Sequence, residues 1–135
     1  MKKTLLDTDY AEISHDPELS LGKILWKRKT SLEEYQYAFI TLVEYAKTNE
    51  TQNFISDIRD QSVVSPENRT WFEQELLPQA IETGLKSAAV IFDGNVFKKY
   101  YMNMIIKATN KFGLPLKLFR SDEEAIDWLR LDSEK

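Results

Sequence analysis

The sequence has no cysteine, which excludes disulfides, thiolate nucleophiles, zinc–thiolate sites and iron–sulfur clusters. Histidine occurs once, as His15. Any catalytic triad would have to use it, and beside Asp16-Pro17-Glu18 it reads as a turn residue. The four glycines and four prolines are scattered, leaving no flexible interdomain linker. No stretch approaches the roughly 20 apolar residues of a membrane span. The start, Met1-Lys2-Lys3-Thr4-Leu5-Leu6-Asp7, has two lysines but no apolar run after Leu6, so it does not read as a secretory signal. No Gly-x-Ser-x-Gly, His-Glu-x-x-His, Walker-type or Gly-x-Gly-x-x-Gly run occurs. With no recognised nucleophile, metal site or nucleotide cradle, no cofactor and no enzymatic activity are expected.

What is present suits one ordinary domain. The 135 residues are 42% hydrophobic and 12% aromatic, enough for a real core and too few residues for two domains. Residues 1–135 are read as a single domain, ordered from about 10 to 130. The net charge of -4 gives no overall attraction to nucleic acid or anionic membrane. Neither nucleic-acid binding nor membrane insertion is therefore expected, and the reading is a cytoplasmic globular domain.

Tyr10–His15 and Leu21–Lys27 read as strands joined by turn chemistry, hence an antiparallel hairpin. Ser31-Leu32-Glu33-Glu34 is a capping box, and Tyr35, Phe39, Leu42, Val43 and Ala46 behind it recur at helical spacing. Asn53–Ile58 is a strand. Ser65-Pro66-Glu67 opens a second helix, with Trp71, Phe72, Leu76, Ala80 and Ile81 as its apolar stripe, a kink expected at Pro78 and an end at Gly84. Lys86–Phe92 is a continuous apolar strand, Asn95–Lys111 a helix, Leu116–Phe119 a last strand, and Ser121–Glu124 launches a last helix. The order ββαβαβαβα implies an α/β fold with a mixed, mostly parallel five-stranded sheet and four main helices. The hairpin is expected at one side and Leu116–Phe119 at the far edge.

Several runs resemble the small bacterial SpoIIAA-like proteins of the STAS/SEC14 group. They are Asn53–Arg59, Val64-Ser65-Pro66-Glu67, Trp71-Phe72, Leu77-Pro78-Gln79-Ala80, Gly84-Leu85-Lys86 and Ser121–Leu129. The resemblance spans Tyr10 to Leu129 and implies a SpoIIAA-like (STAS/CRAL-TRIO-like) strand–helix superhelix. It also implies two kinds of function. STAS domains are protein-binding regulators, some switched by phosphorylation of a serine that starts the helix after the third strand, in an Asp-Ser-Ser-Gly-like run. SEC14-like domains enclose lipids or other apolar molecules. Here the corresponding run is Val64-Ser65-Pro66, which makes Ser65 the phosphorylation candidate while lacking the Asp and Gly. The helix N-cap role accounts for Ser65, Pro66 and Glu67 together and is the favoured reading.

Candidate residues follow from position. Open α/β sheets put function at the carboxyl ends of parallel strands, where Asp57, Arg59 and Asp60 lie, followed by Asp93, Gly94 and Arg120. A hard cation would favour such carboxylates, but pairing among themselves or capping of loop N–H groups accounts for them without a metal. In Asn95–Lys111, the stripe Phe97, Tyr100, Tyr101, Met104, Ile105 and Ala108 reads as core. Met102 and Ile106 then fall off that stripe, beside Lys99 and Asn110 on a helix made basic by Lys98, Lys99, Lys107 and Lys111, as a candidate contact surface for another protein or a second copy. Trp71, Phe72, Tyr100, Tyr101 and Met104 are the candidates for holding a small apolar ligand, the alternative to a protein-interaction module.

Overall fold

Strand and helix signals alternate along the chain, and a computed structural model describes residues 2–61 and 64–133. The elements are β1 (Lys3–Asp7), β2 (Ala11–Asp16), β3 (Leu21–Trp26), α1 (Leu32–Ala46), β4 (Asn53–Asp57), α2 (Pro66–Trp71), a π-helical segment (Phe72–Leu76), α3 (Leu77–Glu82), β5 (Ser87–Ile91), α4 (Val96–Lys111), β6 (Leu116–Phe119) and α5 (Asp122–Ser133). One sheet runs β1-β2-β3-β4-β5-β6. It is antiparallel from β1 to β3 and parallel from β3 onward.

The five-strand expectation is corrected to six, and order begins at Lys3 rather than near Tyr10. β1 escaped because its pattern does not alternate. Its register against β2 shifts between Thr4 and Leu6, so Leu5 and Leu6 both pack on the core, as a β-bulge allows. β6 forms the opposite edge, where it was expected.

Topology decides where the helices go. When consecutive parallel strands add in one direction, right-handed crossovers put every connecting helix on the same face. Accordingly α1, the α2–α3 unit and α4 share one face with Ile13, Ile24, Trp26, Val90 and Phe92 in a single cluster. The last helix, α5, has no strand to return to and covers the other face, setting Ala125 and Leu129 against Leu21, Ile55, Ala89 and Ile91. β5 is buried along its whole length, which explains its unbroken apolar run. Gly22 lets α1 approach β3, since a Cβ there would lie 2.9 Å from a methyl of Leu42.

Local signals hold the elements in place. The Ser31 hydroxyl accepts from Glu34 N, and the Glu34 carboxylate accepts from Ser31 N. Arg28 and the Ser31 amide together hold the Glu34 carboxyl down at about 2. Ser65 caps α2 by accepting from Asn68 N at 3.2 Å. The kink expected at Pro78 takes the form of the π segment one turn earlier, where Leu77 N–H donates to the Phe72 carbonyl. A proline lacks the donor and crowds the preceding turn, and one wide turn relieves both problems.

Candidate functional site

Three groups of residues compete for function, beginning with the strand ends. Asp57 is almost fully buried and bound in a bidentate pair by Arg59, with Nε to Oδ1 at 3.0 Å and Nη2 to Oδ2 at 2.6 Å. The Arg59 backbone N–H also donates to Asp57. Asp122, at the start of α5, pairs with Lys23 and lies 3.7 Å from Arg59. Asp57 is thus sealed inside the pair and joined through Arg59 to α5, while Arg59 itself, at 44%, and Asp60 are exposed. Among the described residues, no group of three or more acidic or histidine side chains is placed to hold a metal ion.

Lys98 is likewise occupied. Its ammonium donates to the carbonyls of Ile58 and Arg59, both at 2.9 Å, and faces Asp93 at 3.5 Å. It bolts the first turn of α4 to the loop after β4. Asp93 accepts from Asn95 N at 2.9 Å; that bond and Lys98 hold its carboxyl below the usual range. His15 is not a turn residue. It is buried at the end of β2, with Nε2 3.0 Å from the Glu50 carbonyl and 3.1 Å from Thr51 Oγ1. Thr51 already donates to the Asn49 carbonyl, so both neighbours accept and Nε2 carries the proton.

The second group is α4, whose orientation differs from the sequence reading. Tyr101, Met102, Ile105, Ala108 and Thr109 are buried. Met102 is 4% exposed and belongs to the core, and Ile106 is half-buried. The contact surface assigned to that pair is therefore withdrawn. Tyr100 and Met104, expected to line a ligand site, instead point outward with Val96 and Phe97, at 72%, 41%, 76% and 75% exposure. Phe97, Tyr100 and Met104 recur at i, i+3 and i+7, and Lys107 and Lys111 continue the same line. Lys99 is exposed about a quarter turn away.

Arg69 of α2 borders this apolar line, a position that no motif or spacing singles out. Its guanidinium lies over the Tyr101 ring at 5.7 Å, and Nη1 meets the Met104 sulfur at 3.6 Å. Its Nε is buried without a hydrogen-bond partner among the described residues. A thioether is a weak acceptor, so a cation stands beside apolar side chains with no carboxylate paired to it among the described residues. The orientation of α4 was nonetheless detectable. Asn103, Lys107, Asn110 and Lys111 share one side of the helical wheel, and the buried side is opposite.

The third group surrounds an apolar cavity of about 90 Å³ between the sheet and the helices α1, α2–α3 and α4. Phe39, Phe54, Phe72, Tyr101 and Met102 line it, as does Gln61 from the loop after β4. Of the expected ligand residues, Phe72 and Tyr101 are here. Trp71 instead packs on Tyr35 and Phe39. The Tyr35 hydroxyl donates to Tyr101, and burial raises both phenols, Tyr101 to about 12. Both stay protonated at neutral pH, so the pair is a fixed dipole rather than an acid–base couple.

No family model matches the chain, and no curated protein matches it significantly. Among solved structures it is similar to an uncharacterised protein of the DUF3478 family with a SpoIIAA-like fold, from Shewanella loihica PV-4. The identity is 18% and the TM-score 0.55, over 96% of this chain and 92% of the other. No described helix is long and apolar enough to cross a membrane. At this identity the likeness speaks to architecture alone: the chain has the SpoIIAA-like α/β fold.

Proposed function

We propose that the protein is a non-catalytic binding module whose docking surface is the outer face of α4, and that its occupant is an acidic, partly apolar segment of another protein. The observation that carries this is the line Phe97–Tyr100–Met104, exposed on a helix with four lysines and no acid, in a chain of net charge -4. Isolated exposed apolar residues are ordinary, but a continuous line of them on one helix face is a contact signal. Arg69 supports the same reading, since a partner carboxylate would supply the acceptor that its guanidinium lacks. Lys107 and Lys111 extend the positive field, which favours an acidic segment and repels a second copy docking through the same face.

The experiment is a titration of labelled protein with an amphipathic peptide carrying leucine and glutamate, alongside a matched peptide with lysine for glutamate. Amide shifts confined to Phe97–Met104 and Arg69, seen with the acidic peptide alone and weakened by salt, are the expected result. Equal response to both peptides, or shifts elsewhere, would refute the surface. Binding to anionic vesicles instead, or concentration-dependent dimerisation through α4, would assign the surface to a different occupant and defeat this reading.

The carrier alternative fares worse on size. An apolar cavity of about 150 Å³ accepts benzene, and this one is smaller, far short of a lipid chain.

A further inference from the structure

The cavity beneath α4 is too small for a lipid, yet its polar groups are unevenly satisfied. Trp26 Nε1 donates to Ser56 Oγ at 3.0 Å, and Thr51 Oγ1 donates to the Asn49 carbonyl at 2.8 Å. The hydroxyls of Thr83 and Thr109 donate to the carbonyls of Ala80 and Ile106 at 2.8 and 2.9 Å, and Tyr35 donates to Tyr101. Gln61 differs. The residue is 6% exposed, it lines the cavity, and its Nε2 has no hydrogen-bond partner among the described residues. Buried amide donors are almost always paired, and an unpaired one beside an open apolar volume marks where an acceptor fits. The surroundings set the rest of the ligand, since its body would lie against Phe39, Phe72 and Met102.

We infer that this cavity binds a small, mostly apolar molecule carrying one hydrogen-bond acceptor, a carbonyl or ether oxygen, which receives the Gln61 amide proton. The volume of about 90 Å³, set against benzene in about 150 Å³, admits roughly four heavy atoms as it stands and six only if a wall moves. Met102 is an unbranched wall that can change rotamer at the upper end of that range. The π segment supplies Phe72, half-buried, as the adjustable wall on the other side. This site is physically separate from the outer face of α4, so either assignment can fail without the other.

The test compares cyclopentanone with cyclopentane, two probes of nearly equal shape that differ in one acceptor. Side-chain amide shifts of Gln61 and methyl shifts of Met102 report occupancy, and dissociation constants come from the same titrations. The ketone is expected to bind about fivefold more tightly than the hydrocarbon, as one neutral hydrogen bond allows. In Gln61→Leu the preference should vanish or reverse. Equal binding of the two probes by the unsubstituted protein would overturn the assignment without any variant. So would absence of binding by both, or a ketone preference that survives Gln61→Leu.

Discussion

Helices α1 and α4 lie on the same face of the sheet and are nearly equal in length, yet they differ in how far their outer apolar residues are exposed: Leu32, Tyr37 and Ile40 of α1 at 38%, 54% and 44%, against Val96, Phe97 and Tyr100 of α4 at 76%, 75% and 72%. In α1 the apolar stripe turns inward. Tyr35, Ala38, Phe39, Leu42, Val43 and Ala46 are buried, and Trp26, Tyr35 and Phe39 form one aromatic cluster, with Tyr35 stacked on Trp26 and edge-on to Phe39. In α4 the inner face is Tyr101, Met102, Ile105, Ala108 and Thr109, while an equally apolar group faces solvent. The difference separates packing from recognition. Partly exposed residues such as Tyr37 and Ile40 are ordinary on a covering helix, whereas Phe97 and Tyr100, far more exposed and on one line, add apolar surface that covering the sheet does not require.

Substitutions can break this contrast, and the largest effect belongs to α1. Phe39→Ala should cost about 3–5 kcal/mol of stability by denaturant unfolding, since it removes a ring packed on five aromatic neighbours. Next is the pair that fixes the orientation of α4. Met102→Ala should cost about 2–4 kcal/mol, and Met104→Ala should stay within about 0.5 kcal/mol. Equal losses would contradict the orientation. Lys98→Met should cost about 2 kcal/mol by leaving the Ile58 and Arg59 carbonyls without their cationic donor, while Lys99→Met should be nearly silent.

The smallest effect is a pH dependence at the start of α1. Glu34 has a folded value near 2 against 4.5 for an unperturbed glutamate. Between those values the unfolded chain binds more protons, so the Glu34 contribution is present above about 4.5 and is lost as pH falls toward 2. Glu34→Gln should flatten that acid limb of the stability curve; an unchanged limb would mean the capping box and Arg28 do not act on this carboxylate in solution.

The two helices also show what was legible beforehand. In α1, Glu33, Glu34, Gln36, Thr41 and Glu44 interrupt the apolar residues and fix the phase of the wheel, so its buried face was read correctly. Over the first eleven positions of α4, apolar side chains surround most of the circumference, and the period alone could not choose between two stripes. The chosen stripe held Tyr101, Ile105 and Ala108, which are buried, but its inclusion of Phe97, Tyr100 and Met104 rotated the helix and made Met102 look external. Parallel strands, caps and the β6 edge were readable because they depend on local chemistry. β1 was not, because its bulge removes the alternation. Arg69 and Gln61 were invisible for a different reason: what singles them out is a missing partner, and that exists only once the chain has folded.

The central claim, that the outer face of α4 is built for recognition and not for stability, is tested most directly by one calorimetric comparison. The affinity of the acidic amphipathic peptide is measured for the unsubstituted protein and for Tyr100→Glu, with unfolding midpoints taken on the same samples. The account predicts at least about tenfold weaker binding, as loss of an interface anchor typically costs, with an unchanged midpoint. Undiminished affinity, or affinity lost only together with stability, would contradict it.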